Sequence, residues 1–156
     1  RMINKEGFTP NMGPDGAQLM GSRPTAPFLG SGDWTCAMPE HWLFKGTGMK
    51  KGDSVKGLVG WEWHGAPAMD LPGMQVVAEG ETLTNGKNPG HYAATIYDGP
   101  EGNIVFNGAS IWWANGLSSP PGHVNPSRHG VTQQGPDKRV EQITHNLFQR
   151  FIASGG

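Results

Sequence analysis

The chain has 156 residues and a formal net charge of −1, which leaves no basic footprint for nucleic acid. No apolar run approaches bilayer length, no secretory signal opens the chain, and a single cysteine, Cys36, excludes an internal disulfide framework and suits a reducing, cytoplasmic compartment. Gly and Pro contribute 25 and 13 residues, a loop-rich composition, while six Trp and six Phe argue against disorder.

In chain order, residues 1–40 have loop character. Turn residues crowd Phe8-Thr9-Pro10-Asn11-Met12-Gly13-Pro14, Ser22-Arg23-Pro24 and Gly30-Ser31-Gly32-Asp33. So long a structureless run is expected to lie over a segment outside this chain, and the opening Arg1 suggests a fragment or cleaved product. From Leu58 to His64 alternation predicts a strand, with Val59, Trp61 and Trp63 on one face and Leu58, Gly60, Glu62 and His64 on the other. Met74–Ala78 and Tyr92–Tyr97 are further strand candidates. Asp98-Gly99-Pro100-Glu101-Gly102 then predicts a hairpin turn into a returning strand, Asn103–Asn107. Loop character resumes over 108–135. Finally Val140, Ile143, Leu147, Phe148, Phe151 and Ile152 recur at helical spacing. Pro136 and Asp137 suit that helix's first turn and Gly155 its stop; its apolar stripe is expected to pack on a sheet.

Glu62 and His64, placed on one strand face, form a carboxylate–imidazole pair able to share a proton or bind a metal. Two ligands do not make a metal site, and a Glu paired with an Arg, or a His at a strand end, is the structural alternative. The Asn11 amide can donate to a carbonyl oxygen or a developing oxyanion, or simply make its turn. His41, His91, His123 and His129 lie in or beside loops without zinc-site spacing, and His145 falls on the polar side of the helix. Cys36 reads as a small buried hydrophobe. Ser110 lacks the nucleophile elbow, since Trp112 stands where its second Gly belongs. The cluster around Trp112 and Trp113 reads as core ahead of a pocket wall. No phosphate-binding or dinucleotide fingerprint is present.

An ordered set of stretches resembles one family: His41-Trp42-Leu43-Phe44-Lys45-Gly46-Thr47-Gly48-Met49 with Gly52-Asp53, then Gly57-Leu58-Val59-Gly60-Trp61-Glu62, then Asn103 to Trp113 with Gly116-Leu117, and the closing Gln142-Ile143-Thr144-His145-Asn146-Leu147-Phe148. The order is similar to the C-terminal domain of the N,N-dimethylformamidase large (beta) subunit, over roughly residues 40–153, reaching back more weakly to Gly7–Asn11. The resemblance implies an α/β fold: the C-terminal half of an open, glutamine-amidotransferase-like sheet domain, loop-rich, with a β-hairpin and a closing helix, its central parallel strands lying upstream. Residues 1–40 would be a loop-rich segment on that upstream part and residues 41–156 the C-terminal part of the domain.

The resemblance further implies hydrolysis of a small N-substituted formamide to formate and an amine, with a mononuclear iron held by two tyrosines and a glutamate. No residue here matches those ligands, which are expected outside this segment. Asn11 is the local candidate for orienting substrate, and Glu62 matches a glutamate of the family's pattern. Partners would be the remainder of the large subunit and a small helical subunit, with the isolated chain inactive. The rival readings are a non-catalytic interaction or carbohydrate-binding module, its Trp residues stacking on sugars, and a degenerate domain with a structural role.

Overall fold

The computed structural model describes residues 16–24, 30–84, 88–124 and 135–154. A short helix α1 (Ala17–Met20) precedes strands β1 (Gly30–Thr35), β2 (Ser54–Trp61), β3 (Gln75–Thr84), β4 (Asn88–Asp98) and β5 (Ile104–Asn107). One 3₁₀ turn, Trp42–Phe44, lies between β1 and β2 and another, Trp113–Gly116, after β5, and helix α2 (Lys138–Ser154) follows. The strands form one sheet in the order β2-β1-β3-β4-β5, every neighbour antiparallel.

The expected hairpin is present. Gly99 N–H donates to Asn103 O at 2.6 Å, Gly102 N–H donates to Gly99 O at 3.1 Å, and Gly102 takes φ 74°, a conformation glycine adopts without a Cβ penalty. The strand expected at 74–78 extends to Thr84, and the one at 92–97 runs from Asn88.

Gly30–Thr35 corrects the loop expectation, since this segment is an inner strand between β2 and β3. Its Gly-Ser-Gly-Asp composition disfavours a strand in isolation, but pairing on both sides overrides propensity. Glycine here permits close approach: a Cβ on Gly32 would lie 2.6 Å from Glu81 O. Along β1–β2 the register passes from Gly32↔Val59 to Trp34↔Val55, so three β2 residues face Asp33. Gly57 takes φ 64° in that bulge, and the Asp33 carboxylate accepts from Gly57 N–H at 3.0 Å.

The bulge also overturns the expected alternation at 58–64. Leu58 and Val59 are both fully buried, β2 ends at Trp61, and Glu62 and His64 lie beyond it. Tyr92 to Ile96 are likewise buried in unbroken succession, so a two-residue period does not separate core from solvent here.

The core belongs to this chain. Trp34, Trp63, Tyr92, Leu43, Leu58, Val59 and Ile143 are fully or almost fully buried. Tyr92 is fixed at its hydroxyl, which accepts from Thr35 N–H at 2.6 Å and donates to Asp33 O at 2.7 Å. Burial pushes its pKa up to about 12. Between the unfolded value of about 10 and that folded value, the unfolded chain holds fewer protons, so stability falls as pH rises, by about 2.7 kcal/mol in all. Tyr92→Phe should abolish this alkaline loss while costing about 1–3 kcal/mol at neutral pH, because two backbone groups lose their partner. Urea denaturation at pH 7 and pH 11 checks both.

Helix α2 packs mainly on the two 3₁₀ turns, shares one core cluster with sheet residues, and reaches β2 through Arg139, whose Nη1 donates to Ser54 O at 3.1 Å. Val140 and Ile143 are fully buried and Leu147 nearly so, while Phe148, Phe151 and Ile152 are 59%, 40% and 72% exposed. The stripe is therefore covered only over its first half. Asn146 Nδ2 ties the helix to Leu43 O at 2.9 Å and Lys45 O at 2.8 Å. Asp137 acts as the cap ahead of the first turn: its Oδ1 accepts from Arg139 N–H at 2.8 Å, and its Oδ2 pairs with Arg139 Nη2 at 2.6 Å. Those bonds hold its carboxyl below the ordinary value. Asp137→Ala should cost about 1 kcal/mol at neutral pH. The wild-type contribution is present above the unfolded carboxyl pKa of about 3.9 and is lost as pH falls through the lower folded value, so the two proteins should converge in strong acid when melted side by side. Among the described residues no helix is long and apolar enough to cross a membrane.

Candidate functional site

Past β2 the chain bends at Glu62, and residues 63–65 are held from three directions. His64 N–H donates to Ala109 O at 3.2 Å, His64 O accepts from Ala93 N–H at 3.2 Å, and Gly65 N–H donates to Arg23 O at 3.0 Å. Single antiparallel bridges join Trp63 to Ser110, His64 to Pro24 and Gly65 to Tyr92. Ser110 fastens the bend from below: its hydroxyl donates to Leu58 O at 2.6 Å and accepts from Trp112 N–H at 3.0 Å. That engagement fits a structural hydroxyl and agrees with the missing elbow.

His64 is half-buried, and its Nδ1 is buried without a hydrogen-bond partner. Burial lowers its pKa, opposed by the neighbouring Asn107 side chain and by the Glu62 charge. The ring is therefore neutral at pH 7, the form that accepts a proton. Glu62 is exposed, and its charge reaches His64 across the bend, not along one strand face as alternation predicts. Asn11 lies outside the described residues, as does His129.

Asn107, at the end of β5, and Ser22 were not among the residues expected at a site. Asn107 Nδ2 donates to Ser22 Oγ at 2.8 Å and its Oδ1 accepts from Ala109 N–H at 3.0 Å, all in the interior. Ala109 takes φ 59°, an uncommon conformation for a residue with a Cβ. Asn107 and Ser22 are 85 residues apart, so no local signal links them.

The remaining candidates have other duties. His41 Nδ1 accepts from Leu43 N–H at 3.2 Å and caps a 3₁₀ turn. His91 pairs with Glu79 at 3.2 Å at the surface, and His123 and His145 are exposed. Burial pushes the Cys36 thiol up, away from the reactive thiolate. Trp113 packs edge-on against Trp34 and Phe106 at 5.3 and 5.6 Å, and Trp112 is buried, so the aromatic cluster is core. A groove of about 780 Å³ runs along α2 beside Trp42, Lys45 and Arg150 and includes none of Glu62, His64 or Asn107.

The two tyrosines do not fit a shared metal. They are five residues apart on β4, hence on opposite faces and about 16 Å apart along it. Tyr92 is held protonated, and Tyr97 donates to Leu19 O at 2.5 Å. No group of three His, Cys, Asp or Glu that would hold a metal occurs among the described residues.

A curled antiparallel sheet with a polar, backbone-clamped bend at one end is a scaffold that presents a few side chains. Comparison with protein families matches residues 6–129 to the family described as N,N-dimethylformamidase beta subunit-like, C-terminal. The match covers most of the chain, and the chain belongs to that family. No curated protein and no solved structure matches it.

Proposed function

We propose that this chain is part of an iron-dependent amidohydrolase that converts N,N-dimethylformamide, or a similar small N-substituted formamide, to formate and an amine. The family match over residues 6–129 carries this reading. In the reaction the amide C–N bond breaks, water supplies the oxygen of formate, and a proton from that water leaves with the amine. The iron ligands come from outside the described residues, since the local tyrosines do not fit them. His64, neutral at pH 7, accepts the proton; Glu62 stabilises the imidazolium that results; Asn11 orients the substrate carbonyl.

The assembly includes the rest of the large subunit and a small helical subunit, and the isolated chain is inactive. In that assembly residues 41–156 form the C-terminal part of an amidotransferase-like domain, and residues 1–40 run over its upstream part except where β1 joins the sheet. A cytoplasmic location goes with the single buried thiol of Cys36. The test is product analysis: the native assembly given N,N-dimethylformamide should release formate and dimethylamine in equal amounts. Formate without the amine, or neither product from N,N-dimethylformamide and N-methylformamide alike, would sink the reading.

A further inference from the structure

We propose that residues 17–24 form a strap that positions the bend at residues 62–65, and that the hydroxyls of Thr95 and Tyr97 on β4 hold the strap in place. The consequence for turnover rests on the reading of Glu62 and His64 as the groups that handle the proton.

The strap begins as the single turn α1 and is stopped by Gly21, which takes φ 73° and donates its N–H to Ala17 O at 2.8 Å. Glycine is required there, because a Cβ would collide with Met74 Sδ. One edge of the strap is anchored to the sheet by side chains. The buried Thr95 hydroxyl donates to Met20 O at 2.8 Å, and Tyr97, on the same face of β4, donates to Leu19 O at 2.5 Å. From β5, Asn107 Nδ2 donates to Ser22 Oγ at 2.8 Å. The other edge serves the bend and the residues just past it. Gly21 O accepts from Ala68 N–H at 2.7 Å and from Met69 N–H at 3.3 Å, Arg23 O accepts from Gly65 N–H at 3.0 Å, and Pro24 bridges His64. Three backbone donors of 65–69 thus depend on strap carbonyls for their partners. Ala109 and Ser110 hold the bend from its other side, so loss of the strap loosens the bend without unfolding the sheet. A group that takes up a proton works only when held close to its target, so a loosened bend turns over slowly.

The experiment uses the native assembly carrying Thr95→Val together with Tyr97→Phe, which removes both hydroxyls and keeps the side-chain shapes. Hydrogen exchange should become about tenfold faster or more at the Gly65, Ala68 and Met69 amides and stay unchanged along the β3–β4 ladder. The same variant should lose about tenfold in kcat with KM changed less than about twofold. Thr95→Ser with Tyr97→Phe restores one hydroxyl and should recover most of the protection and of kcat. Tyr97→Phe alone, at a half-buried residue, should show the same pattern to a smaller extent, which keeps the test open if the double variant does not assemble. Unchanged exchange at those three amides overturns the proposal, as does faster exchange spread equally over the ladder. Faster exchange confined to 65–69 with full turnover leaves the strap as the positioning element and removes the bend from the chemistry, so the two ideas fail separately.

Discussion

Replacing Trp34 with Ala is expected to cost about 3–5 kcal/mol of folding stability, the largest effect of any single truncation in this core. Trp34 is completely buried on the inner strand β1. Its ring meets Trp113 edge-on at 5.3 Å and Phe44 at 5.9 Å, so it joins the two 3₁₀ turns to the sheet. Its Nε1–H donates to Gly108 O at 3.1 Å, the carbonyl of the peptide whose N–H, on Ala109, bonds Asn107. Truncation opens a cavity among groups that pack on each other and leaves that carbonyl unpaired. Trp34→Phe separates the two effects, because it keeps most of the apolar volume and loses the donor; its cost should be well under half that of Trp34→Ala. Urea denaturation with unchanged slope checks both, and a loss under about 1 kcal/mol for Trp34→Ala would contradict this account of the core.

His64→Gln is expected to reduce kcat/KM of the native assembly about 10²-fold or more, with stability nearly unchanged. Gln retains a hydrogen-bonding amide of similar reach but cannot take up a proton at neutral pH. The wild-type rate should fall on acidification as His64 protonates, at a pH below the ordinary histidine value, because burial depresses its pKa. That acid limb should be missing from the variant. Glu62→Gln should act in the same direction and more weakly, since an exposed carboxylate influences the ring through a screened charge. Parallel pH profiles in wild type and His64→Gln would remove His64 from the chemistry.

How much of this was legible in the sequence depended on the range of the interactions. The 98–102 turn and the start of α2 were legible because their determinants are local: a positive-φ glycine and a capping Asp137 beside the groups they bond. The strand β1 was not legible, because Gly30, Ser31 and Gly32 become a strand only through partners on both sides, with Glu81 O too close to Gly32 to admit a Cβ. Alternation also misplaced Glu62 and His64. It assumes an uninterrupted pleat, whereas β2 carries a bulge at Gly57 and ends before Glu62. The family was legible from the ordered motifs, because such a pattern survives mistakes about individual strands. Asn107 was invisible as a site residue for the opposite reason. Its partner is Ser22, remote in sequence. The helix stripe was read correctly as apolar and wrongly as wholly covered, since Phe148, Phe151 and Ile152 continue the spacing beyond the residues that cover it.

The most direct measurement is dimethylamine release from N,N-dimethylformamide by the native assembly, before and after treatment with an iron chelator and again after iron is restored. The account predicts release that the chelator abolishes and iron returns. Release that persists at full rate in an assembly shown to be free of iron, or no amine release from N,N-dimethylformamide or N-methylformamide by an intact iron-loaded assembly, would contradict it.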